Sequence, residues 1–125
     1  MPFARLTLNA PPAHELADDL SIRLTELIAV DLGKRHELTS VLVEAPGFSR
    51  WMIGAQQQPI AAHLEVFVTG GTNSEQEKRS FVANAMEMLR EALPGLDRAT
   101  YIVVKEVAAT DWGYDGRTQA DRGKA

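Results

Sequence analysis

The 125 residues carry 45% hydrophobic and 24% charged side chains, a formal net charge of -4 and no cysteine. That composition belongs to one ordinary globular domain able to bury a core, and it excludes disulfides, thiolate nucleophiles and cysteine-based metal sites. The negative balance, with no local basic cluster to offset it, excludes the phosphate-neutralising surface that nucleic acid requires. The start, Met1-Pro2-Phe3-Ala4-Arg5, has neither the basic opening nor the apolar stretch of a signal peptide, and no apolar run is long enough to span a bilayer. The expectation is a soluble, cytoplasmic protein with no nucleic-acid or membrane partner.

Along the chain, Pro2 to Asn9 has the apolar and β-branched content of a strand, which Ala10-Pro11-Pro12 stops. From Ala13 to about Leu32 the residues Leu16, Leu20, Leu24, Leu27 and Ile28 recur at helical spacing, with Asp18, Asp19, Arg23 and Glu26 mainly on other faces and Gly33 as the stop. Thr39 to Glu44 reads as a second strand closed by Pro46-Gly47. After Trp51 and the run Gln56-Gln57-Gln58, the order begins again at Pro59. Ile60 to Thr69 reads as a strand and Gly70-Gly71 as its break. Thr72, Asn73 and Ser74 offer N-cap oxygens to a helix whose stripe is Phe81, Ala85, Leu89 and Leu93, ended by Pro94-Gly95. Ala99 to Val107 is strongly β-prone, and Trp112-Gly113-Tyr114-Asp115-Gly116 has the character of a tight turn or small hairpin before a polar tail.

The expected fold is therefore α+β in two layers: a tandem β-α-β repeat (2-58 and 59-125) forming one domain, with a four-stranded sheet and both helices on one face. Strands such as Val41-Leu42-Val43 and Tyr101-Ile102-Val103-Val104 are apolar at consecutive positions, which suits a sheet covered on both faces. Two helices cover one face, so the other is expected to meet partner subunits.

A proline directly after the initiator methionine, then strand, helix, strand and Gly-rich hairpin, repeated from a second proline, resembles the tautomerase superfamily. Within it the likeness is to a fused, two-unit 4-oxalocrotonate tautomerase. It covers nearly the whole chain and is stronger in the second half, in Pro59-Ile60-Ala61, Glu75-Gln76-Glu77-Lys78 and Trp112 to Gly116. The resemblance implies a cofactor-independent tautomerase or isomerase acting on small enol or 2-oxo acids, assembled as a homotrimer, with the amine of the leading proline as general base or acid. It also implies two arginines and an aromatic wall. The first arginine position falls near Pro12 in the first unit and near Gly71 or Thr72 in the second, and the other falls on Leu42 and on Tyr101, so neither arginine carries over. The aromatic position falls on Trp112 and, more loosely, Trp51.

Pro2 can present a secondary amine once Met1 is removed, and desolvation in an apolar pocket would bring such an amine towards neutrality. Pro59 is locked in a tertiary amide with Gln58 and has no basic lone pair, so its role is structural. The candidate site is thus Pro2 as catalytic group, with Trp112, Tyr101 and Arg117 as substrate-binding residues. Tyr101 is a hydrogen-bond donor and Arg117 a replacement cation, set against core packing for the first and a solvated tail for the second. Arg5, Arg50 and Arg98 are weaker substitutes. No metal site is expected, because His63-x-Glu65 gives two ligands without a third. His14 and His36 have no serine-carboxylate arrangement around them. Two alternatives stay open: a hydratase or dehalogenase reaction, for which no water-activating carboxylate stands out, and a catalytically inactive trimeric scaffold.

Overall fold

The computed structural model describes residues 1–123. Its main sheet has four strands, β1 (Phe3–Leu8), β2 (Ser40–Glu44), β5 (Ala62–Thr69) and β6 (Ile102–Val107), in the order β2-β1-β5-β6. β1 and β2 are parallel and joined through α1 (His14–Leu32), and β5 and β6 are parallel and joined through α2 (Glu75–Ala92). β1 and β5 meet antiparallel at the centre, with Phe3 opposite Phe67 and Leu8 opposite Ala62. Both helices lie on one face, as the sequence predicts, and run antiparallel: Arg23 reaches Glu91 at 3.2 Å while Asp31 accepts from Asn84 at 2.9 Å.

The core is one slab between sheet and helices. Leu20, Leu24, Ile28 and Leu32 come from one stripe of α1, and Phe81, Ala85, Met88 and Leu89 from α2. They pack on Ala4, Leu6 and Leu8 of β1 and Leu64, Val66 and Val68 of β5. Each fully buried leucine of this kind stabilises the fold by about 1.5–3 kcal/mol through area removed from water. β1 and β5 alternate strictly between buried and part-exposed positions. The far face of the sheet is therefore not uniformly apolar. Phe3 and Phe67 pair there with ring centroids 6.0 Å apart, but Arg5 lies 3.6 Å from Glu44, and Lys105 sits between Glu65 and the Phe67 ring. The consecutive apolar residues expected to fill that face are confined to the edge strands.

Each unit ends in a small hairpin. β3 (Met52–Ile53) pairs with β4 (Gln56–Gln57), and β7 (Gly113–Tyr114) with β8 (Arg117–Thr118). Both have two positive-φ residues at the tip, Gly54-Ala55 and Asp115-Gly116, the left-handed pair that a twisted two-residue hairpin requires. The polar tail is not extended: it folds as β8 and a short helix, α3 (Gln119–Arg122), capped by Thr118.

The repeat begins less symmetrically than the sequence suggests. Pro2 is buried and lies directly before β1, whereas Pro59 is exposed and β5 starts three residues later, at Ala62. The Asn9 side chain explains the delay. Its amide donates to the Pro59 carbonyl and accepts from Ala61 N–H, both at 3.0 Å, so a side chain takes contacts that would otherwise extend the ladder.

Candidate active site at the amino terminus

Topology decides what surrounds Pro2. A helix that links parallel strands runs back along the sheet, so α1 ends beside the start of β1. The antiparallel β5 ends there too, and so do β6 and the loop leading to β7. The Pro2 carbonyl accepts from Ser40 N–H at 3.2 Å, and continuing the β1–β5 register sets Met1 opposite Thr69. Gly33, at φ 64° and ψ 33°, ends α1 in the left-handed conformation glycine tolerates and hands the chain to Lys34 and Arg35.

The turn between β5 and α2 completes this end. The Lys34 Nζ donates to Thr72 Oγ1 at 2.8 Å, and that hydroxyl donates to the Thr69 carbonyl at 2.6 Å. Asn73 Nδ2 donates to the Leu32 carbonyl at 2.8 Å, satisfying an acceptor left over at the end of α1. Gly71, at φ 79°, turns its N–H towards a Glu106 carboxylate oxygen at 3.3 Å, while the other oxygen accepts from Lys78 Nζ at 2.6 Å. Ser74 and Glu77 then start α2 with a reciprocal capping box.

Electrostatics follow from this packing. The amino terminus, carried by Met1, has its pKa lowered first by burial and then by the nearby charges of Lys34 and Arg35. The Lys34 ammonium is itself pushed down by burial, with Glu77 and Glu106 opposing the shift. Glu106 is held below the usual carboxylate range by its hydrogen bond from Lys78, by the Gly71 N–H and by the Lys78 charge.

Of the residues singled out in sequence, Trp112 joins Pro2's end of the sheet: its indole Nε1 donates to Thr69 Oγ1 at 3.1 Å. Trp51 and Trp112 occupy matching places at the hairpin bases, since Gln58 N–H donates to the Trp51 carbonyl and Gln119 N–H to the Trp112 carbonyl, both at 2.9 Å. Arg117 is exposed, donates to the Asp121 carbonyl at 3.3 Å, and lines with Trp112 an open cavity of about 290 Å³. Tyr101 is elsewhere. It is 71% exposed just before β6, and its carbonyl accepts from Leu64 N–H. That puts it about five strand residues, or ~16 Å, from the level of Pro2 in the same chain. Arg5 is on the far face of the sheet with Glu44, and His36 pairs with Glu26 and His63 with Glu65.

Lys34 is the residue the sequence reading passed over. The search for a cation followed arginine positions, yet a lysine directly after the glycine that ends a β-α-β helix must emerge at the mouth of the first strand.

A family model for macrophage migration inhibitory factor (MIF) matches residues 1–120. The chain belongs to the MIF family, within the tautomerase superfamily. Solved structures with the same fold include the F6 fused 4-OT wild-type asymmetric trimer, 20% identical over 97% of this chain and 98% of that one, with a TM-score of 0.85. Pt0534 inactivated by 2-oxo-3-pentynoate is 11% identical over 97% and 98%, with a TM-score of 0.87. The MIF-like protein of Entamoeba histolytica is 17% identical over 94% and 97%, with a TM-score of 0.74. None of the curated proteins matches the sequence. At these identities the structural likeness establishes the two-unit fold.

Proposed function

We propose that this MIF-family chain is a cofactor-independent tautomerase of small enol or 2-oxo acids, working as a homotrimer in the cytoplasm. In this reading residues 1-125 form one domain of two units, 2-58 and 59-125. Removal of Met1 frees the Pro2 amine, which takes a proton from the carbon next to the substrate's carbonyl and returns it at the other end of the enol system. The observation that carries the reading is the environment of the amino terminus: the amine there is Met1's, its pKa is lowered first by burial and then by Lys34 and Arg35, and the Pro2 amine would meet the same two cations once Met1 is gone. A base near neutral pH is what proton transfer at carbon calls for. Lys34 supplies the charge that meets the substrate carboxylate, in place of the absent arginines, and Trp112 walls the site, with Arg117 at its outer edge. Tyr101 is too far along its own sheet to reach Pro2, so its contribution is to the site of a neighbouring chain.

Two carboxylates are bonded to the turn beside Pro2 among the described residues: Glu77 caps α2 by accepting from Ser74 N–H, and Glu106 has both oxygens engaged, by Lys78 and by Gly71 N–H. Neither is therefore placed to activate water, and hydration is not the favoured reaction.

The experiment is ketonisation of phenylenolpyruvate and 2-hydroxymuconate by the wild type and Pro2→Ala, alongside the mass of the N-terminal peptide. Loss of Met1 and turnover that collapses in Pro2→Ala are expected. Retained methionine, or equal rates in the two proteins, would leave the scaffold reading in its place. Treatment with 2-oxo-3-pentynoate gives a second readout. Conjugate addition forms a bond from the Pro2 nitrogen to the alkyne carbon and moves the amine proton to the neighbouring carbon. The N-terminal peptide should then gain the mass of one whole reagent.

A further inference from the structure

The site's cation comes from the first unit, but it is held by the second. Lys34 follows the left-handed Gly33 on a flexible four-carbon stem and would sweep a wide arc if nothing fixed it. Among the described residues its one side-chain hydrogen bond is to Thr72. Thr72 has a single hydroxyl proton and gives it to the Thr69 carbonyl, which leaves its oxygen lone pairs turned to the ammonium. The turn itself is tied down at three further points: Thr69 by the Trp112 indole, Gly71 by Glu106, and Asn73 to the last turn of α1. One of the arginines that the resemblance calls for falls near Gly71 or Thr72 in the second unit.

We propose that Thr72 is the positioning residue for the amino-terminal site, fixing the Lys34 ammonium beside the chain's amine from a turn that Glu106 and Trp112 hold in place. The inference rests on the reading of that terminus as a reactive amine. The charged groups that act on the terminus are Lys34 and Arg35 after α1; Glu77 on α2 and Glu106 on β6 act in turn on Lys34, and Lys78 on α2 bonds Glu106. Burial is the largest cause of the lowered amine pKa and Lys34 the larger of the two charged ones, so displacing the Lys34 ammonium should move the amine's midpoint. A threonine here can do what an arginine at the same place would do with its own guanidinium, because it recruits a charge from the other unit.

The test is a pH titration of the N-terminal amine, followed by NMR in protein labelled with carbon-13 at Pro2 and Met1, together with kcat/KM. Thr72→Val removes the acceptor at nearly constant volume. It should move the amine midpoint upward and lower kcat/KM about tenfold, mainly through KM, the low end for a hydrogen bond to a charged group. Thr72→Ser should leave both near wild type. Lys34→Met should reproduce the upward shift, and the double variant should shift no further than either single one. Thr72→Ala, at an exposed position, serves if the valine variant fails to fold. An amine midpoint unmoved by loss of the Thr72 hydroxyl while Lys34→Met moves it, or shifts that simply add, would overturn the proposal. A wild type without turnover whose amine still shifts in Thr72→Val would support the positioning role and remove the tautomerase reading alone.

Discussion

The two ends of the sheet have the same architecture and different chemistry. At one end the turn from β5 into α2 is Gly70-Gly71-Thr72-Asn73-Ser74. It is polar, anchored by side-chain hydrogen bonds at Gly71, Thr72, Asn73 and Ser74, and it stands at the end of the sheet that holds the buried Pro2 and Lys34. At the other, the turn from β1 into α1 is Asn9-Ala10-Pro11-Pro12, next to the exposed Pro59. The space there is a cavity of about 160 Å³ lined by Leu8, Pro11, Pro12, Leu16, Ile60 and Leu93, with Asn9's amide already committed to backbone. Duplication copies strands and helices because the shared core needs both. Charge was not copied with them: an uncharged Asn9 amide closes one end, where Lys34 and Glu106 stand at the other.

The largest expected effect breaks this comparison at its centre. Pro2→Ala should lower kcat/KM by about 10²–10⁴, the range a positioned general base contributes. Pro59→Ala should leave turnover at wild type, since its nitrogen is an amide in either case. A Pro59→Ala variant that lost activity in proportion to Pro2→Ala would show that the two ends are functionally joined.

A smaller effect concerns the helices that start at each end. α2 opens with Ser74 and Glu77 bonded to each other's backbone, whereas Ala13, in the extended conformation of an N-cap, has no side chain to offer α1. Ser74→Ala should cost about 1 kcal/mol in chemical denaturation, and Ala13→Ser should add about 0.5–1 kcal/mol. Equal and negligible changes in both would mean that tertiary packing, not capping, fixes where each helix begins.

These differences also show where the sequence is legible. Periodicities of 2 and 3.6 residues reveal β1, both helices and β5, because their apolar residues face one slab of core. The first hairpin is hidden, since the second left-handed residue of its Gly54-Ala55 tip is an alanine, and Gln56-Gln57 has no strand propensity. The start of β5 is misread because Asn9 keeps one backbone bond to the Ala61 carbonyl while its side-chain amide, 50 residues away in sequence, takes the Ala61 N–H and the Pro59 carbonyl. Lys34 shows a third kind of failure. Its hydrogen bond is to Thr72, 38 positions on, and it reaches that end of the sheet because the helix between two parallel strands runs back along them. A pattern search for arginine finds empty places, and only topology shows where the replacement charge arrives.

The smallest effect sharpens the contrast through pH. Asn9 closes its end of the sheet with an uncharged amide, and Glu106 clamps the other with a carboxylate held below its ordinary 4.5 by Lys78 and Gly71 N–H. A carboxylate whose pKa is lower in the folded chain contributes stability that is complete above the unfolded value and disappears as pH falls through the folded one. Glu106→Gln should therefore be less stable than wild type at neutral pH, and the gap should close as denaturation is repeated down to about pH 3. Asn9→Ala should show a deficit that does not change with pH over the same range. If the Glu106→Gln gap stayed constant as well, the clamp on Gly71 would be a matter of hydrogen-bond geometry. The two ends would then differ in shape but not in charge.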